Sequence, residues 1–288
     1  MGKEHMRPIY NAGESLLKDI QRTQIPEGGV AIWSLGQAGV LIKGSSSDEL
    51  ICVDPYLSYS IETEDPDTEF KREIPPPLSP NELNVNSVLL THFHNDHMDL
   101  TTIKGVAQAH PATKFVAPAS HAYLLHDIEI DRSRILPARQ EQVISDQSIT
   151  ITPVAGAHTA YESDQDGNQY YLGFFIEING VRIYHTGDTV VTPELIEQAK
   201  KFQPHVTLLP INGGDYARTS RGIVGNMNFR EAADFGVEIG SDILIPIHFD
   251  MFSKNRDNPS YFVDYLFHNY PAQKFHMMSA GERFIYFT

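Results

Sequence analysis

The sequence predicts a mixed α/β (α+β) fold in which two β-sheets pack face to face and helices cover their outer sides. Three observations predict it. Short apolar, β-rich runs separated by turns begin at residue 30, later runs alternate with helical patterns, and no linker-like gap interrupts them. A chain of 288 residues with 41% hydrophobic and 10% aromatic content can build a substantial core.

Residues 1–28 are polar, with a helix over Glu14–Gln21, and end in the turn Pro26-Glu27-Gly28-Gly29; they read as an N-terminal arm. VAIWSLG (30–36), GVLIK (39–43) and ELICVD (49–54) read as consecutive antiparallel strands, punctuated by Gly36 and the turn at residues 44–47. Residues 58–80 are acidic, proline-rich and without period, which marks either a functional lid or a mobile surface loop. NSVLLTH (86–92) is a buried strand by its apolar run, and a helix follows through Thr101–Ala109, so HNDH lies in a strand-to-helix loop. KFVAP (114–118), QSITITPVA (147–155), YYLGFFIEI (170–178) and VRIYHTG (181–187) read as strands, the last two joined by an Asn179-Gly180 hairpin turn. HVTLLPI and DILIPIH are strands alternating with helices over 193–202, 228–240 and 259–269; Tyr261, Phe262, Tyr265 and Phe267 are expected on the buried face of the last.

Charge restricts the function. With 22 Lys plus Arg against 37 Asp plus Glu, the net charge is −15, and no basic cluster is present to neutralise phosphates, so no nucleic-acid partner is expected. No run approaches the roughly 18 apolar residues of a membrane span, and the first ten residues lack the apolar stretch of a secretory signal. No membrane partner is expected. The single cysteine, Cys52, sits in the apolar run LICV as a core residue, which agrees with a reducing, cytoplasmic location.

Thirteen histidines are a high usage, and their placement carries the chemistry. His92, His94, Asp96 and His97 form H-x-H-x-D-H at the end of an apolar strand. Neutral imidazoles and carboxylates suit first-row divalent cations. Alternate residues of an extended segment point the same way, so His92 and His94 can reach one ion while a turn at Asn95 directs Asp96 and His97 to another. His158, Asp188 and His248 each follow a strand and are further ligand candidates. The remaining histidines, His5, His110, His121, His126, His205, His268 and His276, have no companion ligand motif.

THFHNDHMD, GAHT, HTGDT and IPIH, in this order, resemble the metallo-β-lactamase superfamily over about residues 30–288. The resemblance implies a single domain over residues 29–288, a four-layer αβ/βα sandwich with two divalent metal ions in a cleft at one edge of the sheets. It implies that His92, His94 and His158 hold one ion, that Asp96, His97 and His248 hold the other, and that Asp188 bridges them. Manganese or zinc is expected, with iron as a third option. LGQAGVLIK, CVDPY, NGGDYARTSRGIVGNM and IPIHFDMFS further resemble the L-ascorbate-6-phosphate lactonase branch, which implies homo-oligomers. Asp54 is expected to hydrogen-bond a ligand imidazole and fix its tautomer, although an Asp-Pro turn also accounts for it. Asp99 has the same two sides, helix N-cap or support to a ligand, and His185 is placed near the cleft or in the core. Arg218, Arg221 and Asn226, in the Gly-rich stretch, are candidates for an anionic substrate group, against a plain surface loop.

The function expected is metal-dependent hydrolysis by a metal-bound hydroxide, with Asp96 and Asp188 orienting the nucleophile. The small-molecule substrate would be a sugar lactone, phosphorylated or not. The rival readings are a phosphodiesterase, or a phospholipase-like hydrolase acting on N-acyl phospholipids, which needs an exposed apolar groove. A non-catalytic metal-binding sensor or scaffold is the rival of another class.

Overall fold

The computed structural model describes residues 6–46, 49–146 and 148–288, with Asp146 described in its backbone alone. His5, Ser47 of the first serine turn and Gln147, the start of an expected strand, lie outside the described residues. The chain runs α1 (Gly13–Arg22), β1 (Gly29–Gly36), β2 (Gly39–Lys43), β3 (Leu50–Val53), α2 (Ser60–Glu64), β4 (Ser87–Leu89), α3 (Leu100–Ala109), β5 (Lys114–Pro118), α4 (Tyr123–Asp127), β6 (Ile135–Ala138), β7 (Ile144–Asp146), β8 (Ile149–Ala155), β9 (Leu172–Ile178) and β10 (Val181–His185). It continues through α5 (Pro193–Phe202), β11 (Val206–Pro210), α6 (Tyr216–Thr219), α7 (Phe229–Glu238), β12 (Ile243–Ile247), α8 (Ser260–Asn269), β13 (Lys274–Phe275) and β14 (Arg283–Phe287).

Among the described residues the strands form two seven-stranded sheets, ordered β14-β1-β2-β3-β4-β5-β6 and β13-β12-β11-β10-β9-β8-β7. Strands β1 to β3 are antiparallel as expected, with Ile32 opposite Ile42 and Val40 opposite Val53. From β3 to β6 the pairing is parallel, as it is from β10 to β13. The Asn179-Gly180 turn, both residues at positive φ (48° and 79°), returns β9 directly into β10. That is the backbone a two-residue hairpin requires.

Period 2 sorts the strand side chains to two faces. Val30, Ile32, Val40, Ile51 and Val53 of the first sheet meet Ile151, Phe174, Ile176, Ile183, Leu208 and Ile245 of the second in one buried cluster between the sheets. Trp33, Leu41, Cys52, Val88 and Phe115 point the other way, under Leu16 and Ile20 of α1, Ile103 and Val106 of α3 and Leu125 of α4. The second sheet's outer face lies under Leu195 of α5, Phe235 of α7 and Phe262 and Leu266 of α8. This is the four-layer arrangement.

Three readings are corrected. Residues 58–80 carry α2 and are stapled by Arg72, whose buried guanidinium donates to the carbonyls of Ile74, Tyr56 and Ser58. The run 86–92 is in strand geometry over Ser87–Leu89; beyond it the Thr91 N–H turns to the Asp54 carboxylate. On α8, Phe262 and Leu266 face inward one helical turn apart, so Tyr261 and Phe267 fall on the solvent side, 51% and 65% exposed.

Candidate metal centre

The strand ends place the site. Strands β1, β3 and β4 run in one direction, and Gln37, Asp54 and Thr91-His92 follow their carboxyl ends. In the second sheet β8, β10 and β12 run alike, and His158, Asp188 and His248 follow theirs. Both edges open on the crevice between the sheets, where the carboxyl ends of parallel strands leave room for a ligand. Gly187 makes the turn into Asp188. Its φ is +62°, and an added Cβ would lie 2.5 Å from the Leu172 carbonyl oxygen.

The seven ligand candidates are brought together. Ligand atoms of Asp96, His97 and His248 lie within 4.8 Å of one another, and so do those of His92, His97 and Asp188. His97 Nε2 is 3.6 Å from Asp96 Oδ2 and 3.4 Å from Asp188 Oδ1, while His248 Nε2 is 3.5 Å from Asp96 Oδ2 and 3.3 Å from Asp188 Oδ2. His92 Nε2 is 3.0 Å from His94 Nδ1, and the His158 ring lies 5.1 Å from that of His94. The two compact groups share His97, a difference from the expected partition between two ions.

Buried hydrogen bonds set the tautomers. His97 Nδ1 donates to Asp54 Oδ2 at 2.7 Å, and His92 Nδ1 donates to Thr91 Oγ1 at 3.0 Å, which leaves each Nε2 facing the centre, that of His92 as a lone pair and that of His97 as one once a cation displaces its proton. Asp54 also accepts the Thr91 N–H and hydroxyl, at 2.8 and 2.6 Å. His97 Nε2, His158 Nδ1 and Asp188 Oδ1 are buried with no hydrogen-bond partner among the described residues. Buried polar atoms left unpaired cost about 1–3 kcal/mol each, and divalent cations would satisfy them. The donor set fits such ions.

Burial, the largest influence, lowers the pKa of His92, His94 and His158, which favours neutral imidazoles. At His97 and His248 burial also opposes the charged form, but Asp188 and Asp96 outweigh it; His97 is pushed well up and His248 to about 9. Burial likewise opposes ionisation of Asp96 and Asp188, and the facing imidazoles overcome it, holding both well below the usual carboxylate range.

The supporting candidates divide. Asp99 caps α3, accepting the Thr101 N–H and the Thr102 hydroxyl, so of its two expected roles the N-cap holds and the support to a ligand is corrected. His185 is fully buried, with Nε2 donating to the Ala38 carbonyl and Nδ1 accepting the Gly187 N–H, and so pins the turn that carries Asp188. Arg218 is held by the Asp215 carboxylate and the Asn212 carbonyl, Arg221 pairs with Glu69 at 2.9 Å, and the Asn226 amide donates to Asn212. None of the three lines the cavity above the ligand cluster, a correction to their expected substrate role. His110, His205 and His276 are committed to the Asn81 carbonyl, the Arg182 N–H and Glu282, while His121 stacks on Phe93.

Sequence reasoning missed Gln37, Thr91 and Tyr171. Gln37 Nε2 donates to Asp96 Oδ2 at 2.7 Å and is 3.0 Å from His248 Nε2; its N–H donates to Asp250 and its carbonyl accepts the His248 N–H. Gln37, Asp54 and His248 all have left-handed φ (57°, 44° and 61°), strain that clusters at functional sites. Gln37 occupies the turn between two apolar strands, where a large polar residue was the available signal. Tyr171 backs the imidazoles, its ring 5.1 Å from His158 and 5.4 Å from His92.

The cavity has a volume of about 370 Å³ and is floored by His94, Asp96, His158, Asp188 and His248. A larger hollow of about 600 Å³, on the outer face of the first sheet beside α1, includes none of the ligand candidates in its lining.

Residues 51–249 match the family described as beta-lactamase superfamily domain. The chain belongs to the metallo-β-lactamase superfamily. It is, by that membership, a metal-dependent hydrolase. A superfamily relative from Archaeoglobus fulgidus, described as a metal-dependent hydrolase, is 27% identical over 232 residues, covering 79% of this chain and 87% of its own. A probable L-ascorbate-6-phosphate lactonase of Escherichia coli is 23% identical over 278 residues, covering 86% and 77%. The solved structure of isothiocyanate hydrolase from Delia radicum gut bacteria shares the superfamily fold with a TM-score of 0.69 at 17% identity, covering 90% of this chain and 99% of that one. Among the described residues, no helix is long and apolar enough to cross a membrane.

Proposed function

We propose that the chain is a lactonase: it opens a small lactone to its hydroxy acid with the aid of two divalent cations. The observation that carries the reading is the pair of His/Asp groups sharing His97, whose members Asp96, Asp188 and His248 floor a cavity large enough for one small molecule. His92, His94 and His158 would hold one cation, Asp96, His97 and His248 the other, and Asp188 would serve both. Imidazole nitrogens and carboxylate oxygens without thiolate suit zinc, manganese or iron. Bound there, such ions supply Lewis acidity, making water acidic near neutral pH and favouring negative charge on a carbonyl oxygen.

The chain's own residues do the rest. Asp96 and Asp188 orient the attacking water by accepting its hydrogen bonds on either side of the gap between His97 and His248. Gln37 holds the Asp96 carboxylate in place through its 2.7 Å hydrogen bond. Asp54 and Thr91 keep the His97 and His92 rings in the tautomer whose Nε2 is free. The cavity walls seat the lactone with its carbonyl over the ligand cluster. The likeness to the lactonase of E. coli supports the choice of a lactone over a phosphodiester. The reading takes the enzyme as cytoplasmic, supported by its buried single Cys52, and as a homo-oligomer.

The test is turnover of lactones, phosphodiesters and thioesters by protein stripped with chelator and reloaded with manganese or zinc. Lactone opening that disappears on stripping, returns on reloading and is abolished in Asp188→Ala is expected. Metal binding with no turnover of any substrate would replace the reading with a sensor or scaffold, and preferred phosphodiester cleavage would replace the substrate.

A further inference from the structure

Resting on the lactonase reading, we infer that the site takes an uncharged substrate bearing an apolar substituent, not a phosphorylated one. Above the ligand cluster the walls are apolar and come from separate segments: Ile61 and Phe70 from residues 58–80, Ile223 and Val224 from the Gly-rich stretch, Phe252 from beyond β12 and Phe93 between the two ligand histidines. These walls are backed, not loose. Phe252 is buried, meets Phe70 edge to face at 5.6 Å and Tyr56 at 6.2 Å, and belongs to a small core with Ile74, Met251 and Ala280 that Ile61 also joins. Val224, by contrast, is 40% exposed, an apolar side chain at the open end.

A phosphate group on the substrate would need cationic donors, preferably a guanidinium fork, at the far end of the cavity. Among the described residues, no lysine or arginine lines it. The two arginines that the sequence offers are engaged elsewhere: Arg218 is buried against Asp215, and Arg221 lies outside on Glu69 and the Ala217 carbonyl. The polar groups that do line the upper cavity, Asn95 and Asn255, are neutral, and Asn255 already accepts a hydrogen bond from Asn212. With a chain charge of −15, the surroundings also disfavour an anion. An alkyl or aryl group gains from the same walls through burial alone.

The experiment uses metal-loaded enzyme and a series of γ-lactones, unsubstituted and with alkyl chains of increasing length, beside a phosphorylated sugar lactone of similar size. In parallel, the corresponding alkyl lactams, which resist hydrolysis, are measured for binding by thermal shift and competition. The expected result is a kcat/KM that rises about fourfold per added methylene until the cavity is full, with the phosphorylated lactone turned over most slowly. Lactam affinity should follow the same slope. Val224→Ser, at the open end where folding is least at stake, should flatten the slope for long chains. Arg221→Ala should alter neither series. A flat series, or a phosphorylated lactone preferred over the alkyl ones, overturns the inference while leaving the lactonase reading intact. Chain-length-dependent lactam binding without turnover of any lactone does the reverse: the apolar site stands and the reaction is another.

Discussion

Replacing Asp54 by asparagine exchanges one oxygen for an amide nitrogen, and the surrounding geometry leaves that nitrogen no suitable place. Oδ1 accepts the Thr91 N–H at 2.8 Å, and Oδ2 accepts both the Thr91 hydroxyl at 2.6 Å and His97 Nδ1 at 2.7 Å. If the amide oxygen keeps the Thr91 N–H, the NH2 faces His97 Nδ1, which must give up its proton. The proton then moves to Nε2, the atom 3.4 Å from Asp188 and offered to the metal. If the amide flips, its NH2 meets the Thr91 N–H, and a buried donor goes unmet. The first outcome removes a ligand lone pair, a loss of about 10–100-fold in metal affinity. The second costs about 1–3 kcal/mol of stability, a few degrees in Tm for a chain of this size. The assay is metal content after dialysis against graded chelator, with calorimetry of the metal-free protein. An asparagine variant that retains metal like the wild type would refute the tautomer argument.

Gln37→Ala frees Asp96 and should lower kcat by about tenfold with KM little changed; equal kcat in steady-state assays would remove Gln37 from the site. Arg72→Met leaves three buried carbonyls without a donor, and urea denaturation should register about 2–4 kcal/mol lost, with faster chymotryptic cleavage within residues 58–80. Ile176→Ala, buried between the sheets, should cost about 2–5 kcal/mol by the same measurement; a cost under 1 kcal/mol would mean that the two sheets do not pack closely there. In metal-free protein the carboxylates hold His248 protonated to about 9. A raised histidine pKa gives stability that is fully present below about 6.5 and lost as the pH climbs through the folded value. The stability difference between wild type and His248→Gln should therefore shrink from pH 7 to pH 10, and a constant difference would contradict the pairing.

The parts legible in the sequence were those whose signal is local. Val30–Leu35 and Gly39–Lys43 alternate inward and outward, Asn179-Gly180 has one turn chemistry, and H-x-H-x-D-H brings four polar groups to the end of an apolar strand. Helix α5 falls on the expected 193–202, where the Thr192 hydroxyl accepts the Leu195 N–H and Pro193 sits in the first turn. What escaped depends on distant partners. β14 is a five-residue run whose place is fixed by pairing with β1, some 250 residues earlier. β6 contains Pro137, which argues against a strand until the sheet edge is known. Arg221 reads as a free cation because Glu69, the group that occupies it, is 152 residues away; Arg218 is different, since its partner Asp215 lies three residues before it, at the start of a short helix that the sequence does not mark. Gln37 escaped for the same reason as Arg221: its target, Asp96, is 59 residues away.

The candidate ligands are drawn from both halves of the sandwich: His92, His94, Asp96 and His97 after β4, and His158, Asp188 and His248 after β8, β10 and β12. Neither half carries the full quorum. A folding intermediate with one sheet assembled could offer an ion only an incomplete grip, so tight capture must wait for the halves to dock. Bound cations would then act as rivets across the seam, and a rise in temperature that loosens the docking should expel them before either sheet melts.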